Sequence, residues 1–164
     1  MSTYQLAQCN IARLRAPLDS PALSGFVGAL DSINALAERT SGFVWRLQTE
    51  DGNATSIRAF DDDMLLINMS VWESVEALGA FVYNSEHREI MRGRRQWFER
   101  MVEAYLVLWW VPTGVRPTTM DARERLDALR RDGPTPHAFT FRAPFPAPDE
   151  HDAPRPRDDW FCAT

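Results

Sequence analysis

The residues best suited to chemistry are concentrated between Asn84 and Trp110, where a basic, aromatic segment runs directly into the most apolar part of the chain. His87 is the first candidate, because a neutral imidazole can accept a proton near physiological pH. Arg94 follows seven residues later, and its guanidinium could hold an anionic or enolate-like substrate by charged hydrogen bonds. On one continuous helix this spacing puts both side chains on the same face. The pattern therefore predicts a pocket with His87 and Arg94 as its catalytic residues.

Each of these candidates also has a simpler structural interpretation. His87 could be only a polar residue near a helix N-terminus. Either Arg94 or the neighbouring Arg95 could face solvent, or pair with Glu99 or Glu103. The residues alone leave both interpretations open.

Polar and aromatic residues in the apolar strands form a second group of candidates. Asn10 and Asn68 must find hydrogen-bond partners if they are buried, and they suit structural ties and substrate orientation equally well. Trp97 and Trp109 could line an aromatic site, or belong to the core or to a dimer interface. Cys9 is predicted to be a buried thiol. The three histidines are far apart and lack a nearby carboxylate pattern, so no metal site is expected.

Hydrophobic periodicity and turn residues divide the 164 residues into alternating strands and helices. The predicted elements are a strand over 4–13, a helix capped by Asp19 or Ser20 and ending near Arg39, a strand from Gly42, a turn over 49–53, a strand over 64–72, a helix capped by Ser74, a second helical piece capped by Ser85 and ending near Met101, a strand over 102–111, a helix over 120–131 that stops at Gly133, and a strand over 135–142.

This order is an α+β fold of the ferredoxin-like split βαβ type, β-α-β-β-α-β, with a C-terminal α-β extension. Strands 65–72 and 106–111 carry apolar residues on both faces, which is typical of strands covered on both sides. Two main helices cover one face, so a homodimer with sheet face against sheet face is expected. Residues 1–148 are predicted to form the domain, and residues 149–164 a Pro-rich acidic tail.

Composition argues against several partners. The net charge is −5 and no basic block stands on a predicted surface, so nucleic acid is not expected as a partner. No apolar stretch approaches the length of a membrane span, and residues 1–15 lack the pattern of a signal peptide. Two cysteines do not form a disulfide framework, so a cytoplasmic location is expected.

Three segments of the chain resemble a known bacterial family. The segments SEHREIMRGRRQWF, LVLWWVPTG and ARERLDALRRDGPTPHAFTFRAPFPAP are similar to domain of unknown function 3291 (DUF3291), and the resemblance covers Tyr4 to Pro148. That family looks like a branch of the dimeric α/β-barrel superfamily. The superfamily includes cofactor-independent antibiotic-biosynthesis monooxygenases, haem-degrading monooxygenases, cyclases and isomerases. The resemblance implies a dimeric α/β barrel, and it supplies no catalytic residue.

The haem-degrading branch of that superfamily can be compared residue by residue. It uses an Asn on the first strand, which Asn10 matches, and a Trp and a His on the second helix. The segment WESVEALGAFVYNSEHREIM resembles the strand-end Trp and helix of that branch when aligned on Trp72. In this register the functional Trp falls at Phe81 and the His at Met91, one helical turn after His87. The resemblance therefore leaves haem as an alternative, while no cofactor is the expectation.

Two main hypotheses about function follow. In the first, the protein is an enzyme acting on a small hydrophobic, aromatic or polyketide-like molecule between the sheet and the second helix, as a cofactor-independent monooxygenase or a cyclase or isomerase. The residues expected to bind substrate are Asn10, Asn68, Trp72, Phe81, Met91, Arg95, Trp97 and Trp109. In the second, it is a non-catalytic ligand-binding or interaction module. A haem-binding, monooxygenase-like protein is the further alternative.

Overall fold

A computed structural model describes residues 2–152 of the chain. Its elements are β1 (Tyr4–Arg13), α1 (Ser24–Arg39, preceded by a 3₁₀ turn at Pro21–Leu23), β2 (Phe43–Arg46), β3 (Leu65–Trp72), α2 (Val75–Val82), α3 (Ser85–Met91), α4 (Arg94–Trp97), β4 (Leu106–Pro112) and α5 (Thr119–Asp132). The fold is mixed α+β, and the strands form an antiparallel sheet in the order β2-β3-β1-β4. Among the helices of this part of the chain, none has the length and apolar character needed to cross a membrane.

Short polar side chains begin two of the helical segments where the sequence predicts them. The Ser20 hydroxyl accepts a hydrogen bond from the Ala22 backbone N–H at the 3₁₀ turn. The Ser74 hydroxyl accepts one from the Ala77 N–H at the start of α2. Such caps satisfy backbone donors that have no partner within the helix. Gly133, with a φ of 73°, ends α5 as predicted.

The sheet has two different faces, which alternate along β1. Leu6, Gln8 and Asn10 point to the face that packs against α1, α2 and α3, called here the inner face. Ala7 and Cys9 point to the opposite, outer face. Burial raises the pKa of the Cys9 thiol to about 12, which confirms the prediction of a buried, protonated cysteine.

The outer face is covered by its own chain. Leu126 and Leu129 of α5 pack against it, together with apolar residues of the long connection 47–64. Trp109 is 1% exposed there, and Met69 is also 1% exposed. The expectation of a sheet-to-sheet homodimer assumed that two helices leave this face bare. Because α5 supplies the cover, that reason no longer holds, and the homodimer and the dimeric barrel stay predictions.

The helix predicted to run from Ser85 to Met101 is wrong in its cap and its length. Asn84 provides the cap, because its side-chain oxygen accepts from the Glu86 N–H. The helix ends at Met91, and only the single turn α4 follows a break around Gly93. After α4 the chain is extended and pairs with the end of β1, since the Glu99 N–H donates to the Arg13 carbonyl. Consequently β4 begins at Leu106 rather than at residue 102.

The predicted fifth strand, Thr135–Arg142, is not a regular strand. It makes one bridge to β4, in which Leu108 and Phe139 exchange two backbone hydrogen bonds of 2.8 and 2.9 Å. Short turns close on either side of that bridge. Pro134, Pro136 and Pro144 lack the N–H that a longer ladder needs, which explains why the pairing stops after one bridge.

The proposed boundary of the domain falls beside a residue that is tied to the N-terminus. The Asp149 carboxylate accepts hydrogen bonds from the Thr3 backbone N–H and from the hydroxyls of Ser2 and Thr3. These donors, the backbone N–H first, lower the pKa of Asp149 to about 2. The tail assigned to residues 149–164 lies outside the described residues from position 153 onward, so the boundary at 148 stays a prediction.

Two glycines allow a direct test of this packing. Gly42 has a φ of 85°, and a Cβ there would come within 2.5 Å of the Ala77 Cβ. Gly42→Ala should therefore lower the free energy of unfolding by about 1–3 kcal/mol. Gly28 lies in α1 with nothing within 4 Å of such a Cβ, so Gly28→Ala should instead raise it by up to about 1 kcal/mol. Urea unfolding measures both, and equal effects would contradict the described packing.

Candidate functional site

A cavity of about 220 Å³ lies between the inner face of the sheet and helices α1 to α4. The α1 side chains Phe26, Leu30 and Ile33 form one apolar side of it. The strands beneath contribute polar side chains at their middle. The cavity therefore offers an apolar enclosure around a limited number of hydrogen-bonding groups, as small-molecule sites commonly do.

Most of the residues singled out from the sequence line this cavity, and two do not. Those that line it are Asn10, Asn68, Trp72, Phe81, His87, Met91, Arg94 and Trp97. Arg95 is exposed and does not line the cavity, because α4 turns its side chain away from the sheet. Trp109 is buried in the outer-face cluster, on the other side of the sheet, so its assignment to the site is wrong. Its neighbours in β4 alternate between the faces, and the sequence does not reveal which face is which.

The polar floor of the cavity consists of Gln8, Asn10, Asn68 and Ser70. The antiparallel register places Asn10 opposite Asn68 and Gln8 opposite Ser70. The Gln8 amide nitrogen donates to the Asn68 side-chain oxygen and to the Ser70 hydroxyl, each at 3.1 Å. Gln8 and Ser70 are both 6% exposed, so these bonds satisfy polar groups that would otherwise be buried without partners.

An aromatic wall rises from the end of this floor and consists of Trp72, Phe81 and His87. The Trp72 indole N–H donates to the Ser70 hydroxyl at 2.8 Å, which links the wall to the floor. The Phe81 ring stacks on Trp72 with a centroid distance of 5.3 Å. The His87 imidazole meets Phe81 edge to face at 4.7 Å. These ring contacts hold the His87 side chain, which belongs to α3, over the sheet.

His87 is held in its neutral form. Burial lowers its pKa to about 4, and a hydrogen bond to the Val82 backbone opposes that shift only in part. Because that bond raises the pKa, the imidazole N–H is the donor, and the other ring nitrogen remains unprotonated. Arg94 is not among the causes of this shift.

Arg94 lies at a different part of the cavity from His87. Its guanidinium carbon sits 4.8 Å from the centroid of the Tyr105 ring, a cation–π contact. The Tyr105 carbonyl accepts a hydrogen bond from the Ile11 N–H, which places the Tyr105 backbone next to the Asn10 end of the floor. Both predicted catalytic residues therefore line the cavity, although they do not belong to one continuous helix.

Several lining residues were missed by reasoning from sequence. They are Gln8, Asn34, Arg46, Ser70, Tyr105 and Phe141, among others. Gln8 and Ser70 carried a usable signal, because each stands two positions from an asparagine already selected and so shares its face of the strand. Phe141 reaches the cavity from the C-terminal segment, a tertiary contact that no local pattern indicates. Within residues 2–152, no group of three histidine, cysteine or acidic side chains is arranged to hold a metal ion.

Comparison with known proteins places the chain in one family. The profile described as "Domain of unknown function (DUF3291)" matches residues 5–156. No curated protein matches the sequence. Similar solved structures include PA3566 from Pseudomonas aeruginosa, with 14% identity, a TM-score of 0.46, and coverage of 70% of this chain and 98% of that one. Another is a putative antibiotic biosynthesis monooxygenase from Nitrosomonas europaea, with 10% identity, a TM-score of 0.45, and coverage of 72% and 96%. At these values no activity follows from either likeness.

The low pKa of His87 makes stability depend on pH in a defined window. Between pH 6.5 and about 4 the unfolded chain binds a proton at this residue and the folded chain does not. Stability should therefore fall as the pH drops from 6.5 to 4, by an amount on the order of 2 kcal/mol from this residue. His87→Gln should flatten that slope in urea unfolding monitored by tryptophan fluorescence.

The exposed Ser32 supplies the control for that experiment, since its side chain is not titratable and lies outside the cavity. Ser32→Ala should keep the slope that His87→Gln removes. Asp149, with a pKa near 2, titrates below the window and does not obscure it. Equal slopes in the wild type and in His87→Gln would show that the imidazole is not held neutral by burial.

Ser70 offers a second test, because its hydroxyl accepts from both Gln8 and Trp72. Ser70→Ala leaves the buried indole N–H of Trp72 without that partner, and should lower the free energy of unfolding by about 1–3 kcal/mol. Ser32→Ala, at an exposed position of α1, is the control and should stay within about 0.5 kcal/mol of the wild type. If Ser70→Ala were as stable as Ser32→Ala, the Ser70 hydrogen bonds would not stabilise the link between the floor and the aromatic wall.

Proposed function

The chain belongs to the DUF3291 family, and we propose that this member is an enzyme acting on a small hydrophobic, aromatic molecule bound in the cavity. One observation carries the proposal. An imidazole with a lowered pKa stands at the end of an aromatic wall and faces the same cavity as a row of amide and hydroxyl groups. Perturbed titratable groups in an apolar cavity mark candidate active sites.

In this proposal His87 is the general base. Its N–H is committed to Val82, so the free nitrogen is the proton acceptor. A base with a pKa near 4 removes only protons that are themselves acidic, because proton transfer becomes costly as the two pKa values diverge. The substrates that fit are therefore phenols and carbon acids whose acidity is raised by adjacent carbonyl groups. The aromatic wall would stack on their rings.

The resulting carbanion or phenolate can react in several ways without a bound cofactor. It can take the proton back from the His87 imidazolium at another carbon, which is an isomerisation. If the carbanion instead attacks a carbonyl group of the same molecule, a ring closes and the alkoxide formed takes the proton. Alternatively, its carbon can bond to dioxygen, and the peroxide anion formed then takes the proton from the imidazolium to give a hydroperoxide. The floor amides would hold the substrate oxygen on which negative charge develops.

A non-catalytic ligand-binding module is the second candidate, and a specific observation favours it. The contact between His87 and Phe81 and the bond to Val82 also suit an imidazole that only completes the cavity wall. The two candidates differ in one measurable respect. If the protein is an enzyme, removing the imidazole should abolish turnover. If it is a binding module, the wild type and the variant should both bind ligand without any turnover.

We also propose that the protein acts without bound haem. In the register that matches the haem-degrading branch, the ligand position is occupied by Met91, and His87 instead packs against Phe81. Titration of the protein with haemin, followed by the Soret band, tests this directly. A band shift that disappears in His87→Gln would replace the cofactor-independent mechanism with the haem alternative.

The general-base role predicts the effect of one substitution on turnover. Oxygen uptake and deuterium exchange would be measured with a panel of hydroxynaphthalenes and aryl 1,3-diketones, which carry acidic protons on aromatic frames. His87→Gln should reduce the active reactions about a hundredfold or more, since the proton acceptor is lost. The wild-type rate should also fall as the pH drops through about 4, where the imidazole becomes protonated.

His137→Gln is the control, and it should keep wild-type rates because it changes an exposed histidine outside the cavity. Binding of the same compounds to His87→Gln, followed by tryptophan fluorescence, should change only a few-fold. If His87→Gln retains both binding and turnover, the imidazole is not the base. If the panel binds to the wild type without any reaction, the binding-module candidate is the better one.

A further inference from the structure

The lining of the cavity is cationic, in a chain that is acidic overall. The chain carries 23 acidic residues against 18 Lys and Arg, with a net charge of −5. Among residues 2–152, however, the side chains that line the cavity include Arg46 and Arg94 and not one Asp or Glu. An enclosure that gathers cations and excludes carboxylates favours a negatively charged occupant.

The two arginines differ in how their charges are compensated. The Arg46 guanidinium donates to the Glu38 carboxylate at 2.8 Å, so its charge is already paired. Arg94 is half-buried, and in the described part of the chain it has no ion pair, only the Tyr105 ring at 4.8 Å. A guanidinium partly removed from water gains from a charged hydrogen-bonding partner. The cavity itself is the place from which such a partner would come.

We propose that the substrate is an anion, an aryl or alkyl molecule bearing a carboxylate that pairs with Arg94. This specifies the substrate class of the site described above, and so rests on the proposed function. Asn10 supports the assignment, because it lies at the same end of the floor and its side-chain amide makes no hydrogen bond within residues 2–152. Arg94 and Asn10 together offer the donors that a carboxylate needs.

The same geometry sets the length of the molecule. Trp72, at the base of the aromatic wall, pairs with Leu6, which lies four residues along β1 from Asn10. Four residues of a strand span about 13 Å. Arg94 is near the Asn10 end of the floor, and His87 stands on the aromatic wall at the Trp72 end. The carboxylate and the proton removed by His87 therefore lie toward opposite ends of the floor, so the carboxylate positions the substrate and is not the reacting centre.

Matched pairs of an acid and its primary amide test this, because the two have nearly the same shape and differ in charge. The probes are biphenyl-4-carboxylate, 2-naphthoate and decanoate, each with its amide, titrated into the wild type and followed by calorimetry. At least one acid should bind ten times more tightly than its amide, and biphenyl-4-carboxylate, the longer of the two aromatic acids, should show the largest ratio. The preference should weaken as the salt concentration rises.

Substitutions assign the preference to one side chain. Arg94→Met should bring the ratio between acid and amide close to one, while Arg94→Lys should retain part of it, because the charge remains and the planar fork is lost. Arg95→Met changes an adjacent arginine that does not line the cavity, and it should keep the wild-type ratio. Melting curves of all three variants separate a loss of charge recognition from a loss of folding.

The outcomes separate this inference from the proposed function. If acids and amides bind the wild type equally well, the anionic class is wrong while the cavity remains a small-molecule site. An unchanged ratio in a folded Arg94→Met also contradicts the assignment, as does a ratio lost equally in Arg95→Met. If none of the six probes binds, the proposed function fails as well.

Discussion

The row of polar side chains along the middle of the inner face governs how the helices pack. Gln8, Asn10, Asn68 and Ser70 cannot be pressed against apolar helix residues without losing water, and burying an amide without a partner costs several kilocalories per mole. Gln8 and Ser70 resolve this conflict by bonding to each other. All four residues line the cavity that lies between the sheet and the helices. The cavity is thus a consequence of polar residues placed where a core would otherwise form.

The packing on the outer face of the sheet allows the inner face to keep this cavity. It is packed by α5 and the connection 47–64, with residues such as Val107 and Val71 fully buried. The outer face therefore forms an apolar core of its own. The inner face is then released from having to form a complete core. This division of tasks between two faces of one sheet explains why a chain of ordinary composition can maintain a cavity lined with amides and arginines.

Local signals predicted the elements well, and tertiary contacts decided the rest. Ser20, Ser74 and Gly133 act through hydrogen bonds and dihedral angles a few residues away, so their roles as helix ends could be read from sequence. The need for glycine at position 93 could not, because it comes from the Trp97 ring, which would lie 2.6 Å from a Cβ at that position. Trp109 was included among the candidate site residues although it lies on the face covered by α5, and nothing within β4 reveals which side a distant helix will cover. The lining of the cavity was predicted where it depends on strand alternation, as at Asn10 and Asn68, and missed where the C-terminal segment returns to it.

The single bridge between Leu108 and Phe139 has a consequence for how this sheet meets other molecules. β4 stands at one edge, and its free backbone groups could pair with a strand of another chain. The segment after Gly133 occupies that edge, and its prolines present no continuous row of donors on the far side. At the opposite edge, β2 is only four residues long and its pairing with β3 is irregular. Both margins of the sheet are therefore blunted, so these chains have little opportunity to join edge to edge into a continuous sheet, the route by which many β-rich proteins aggregate.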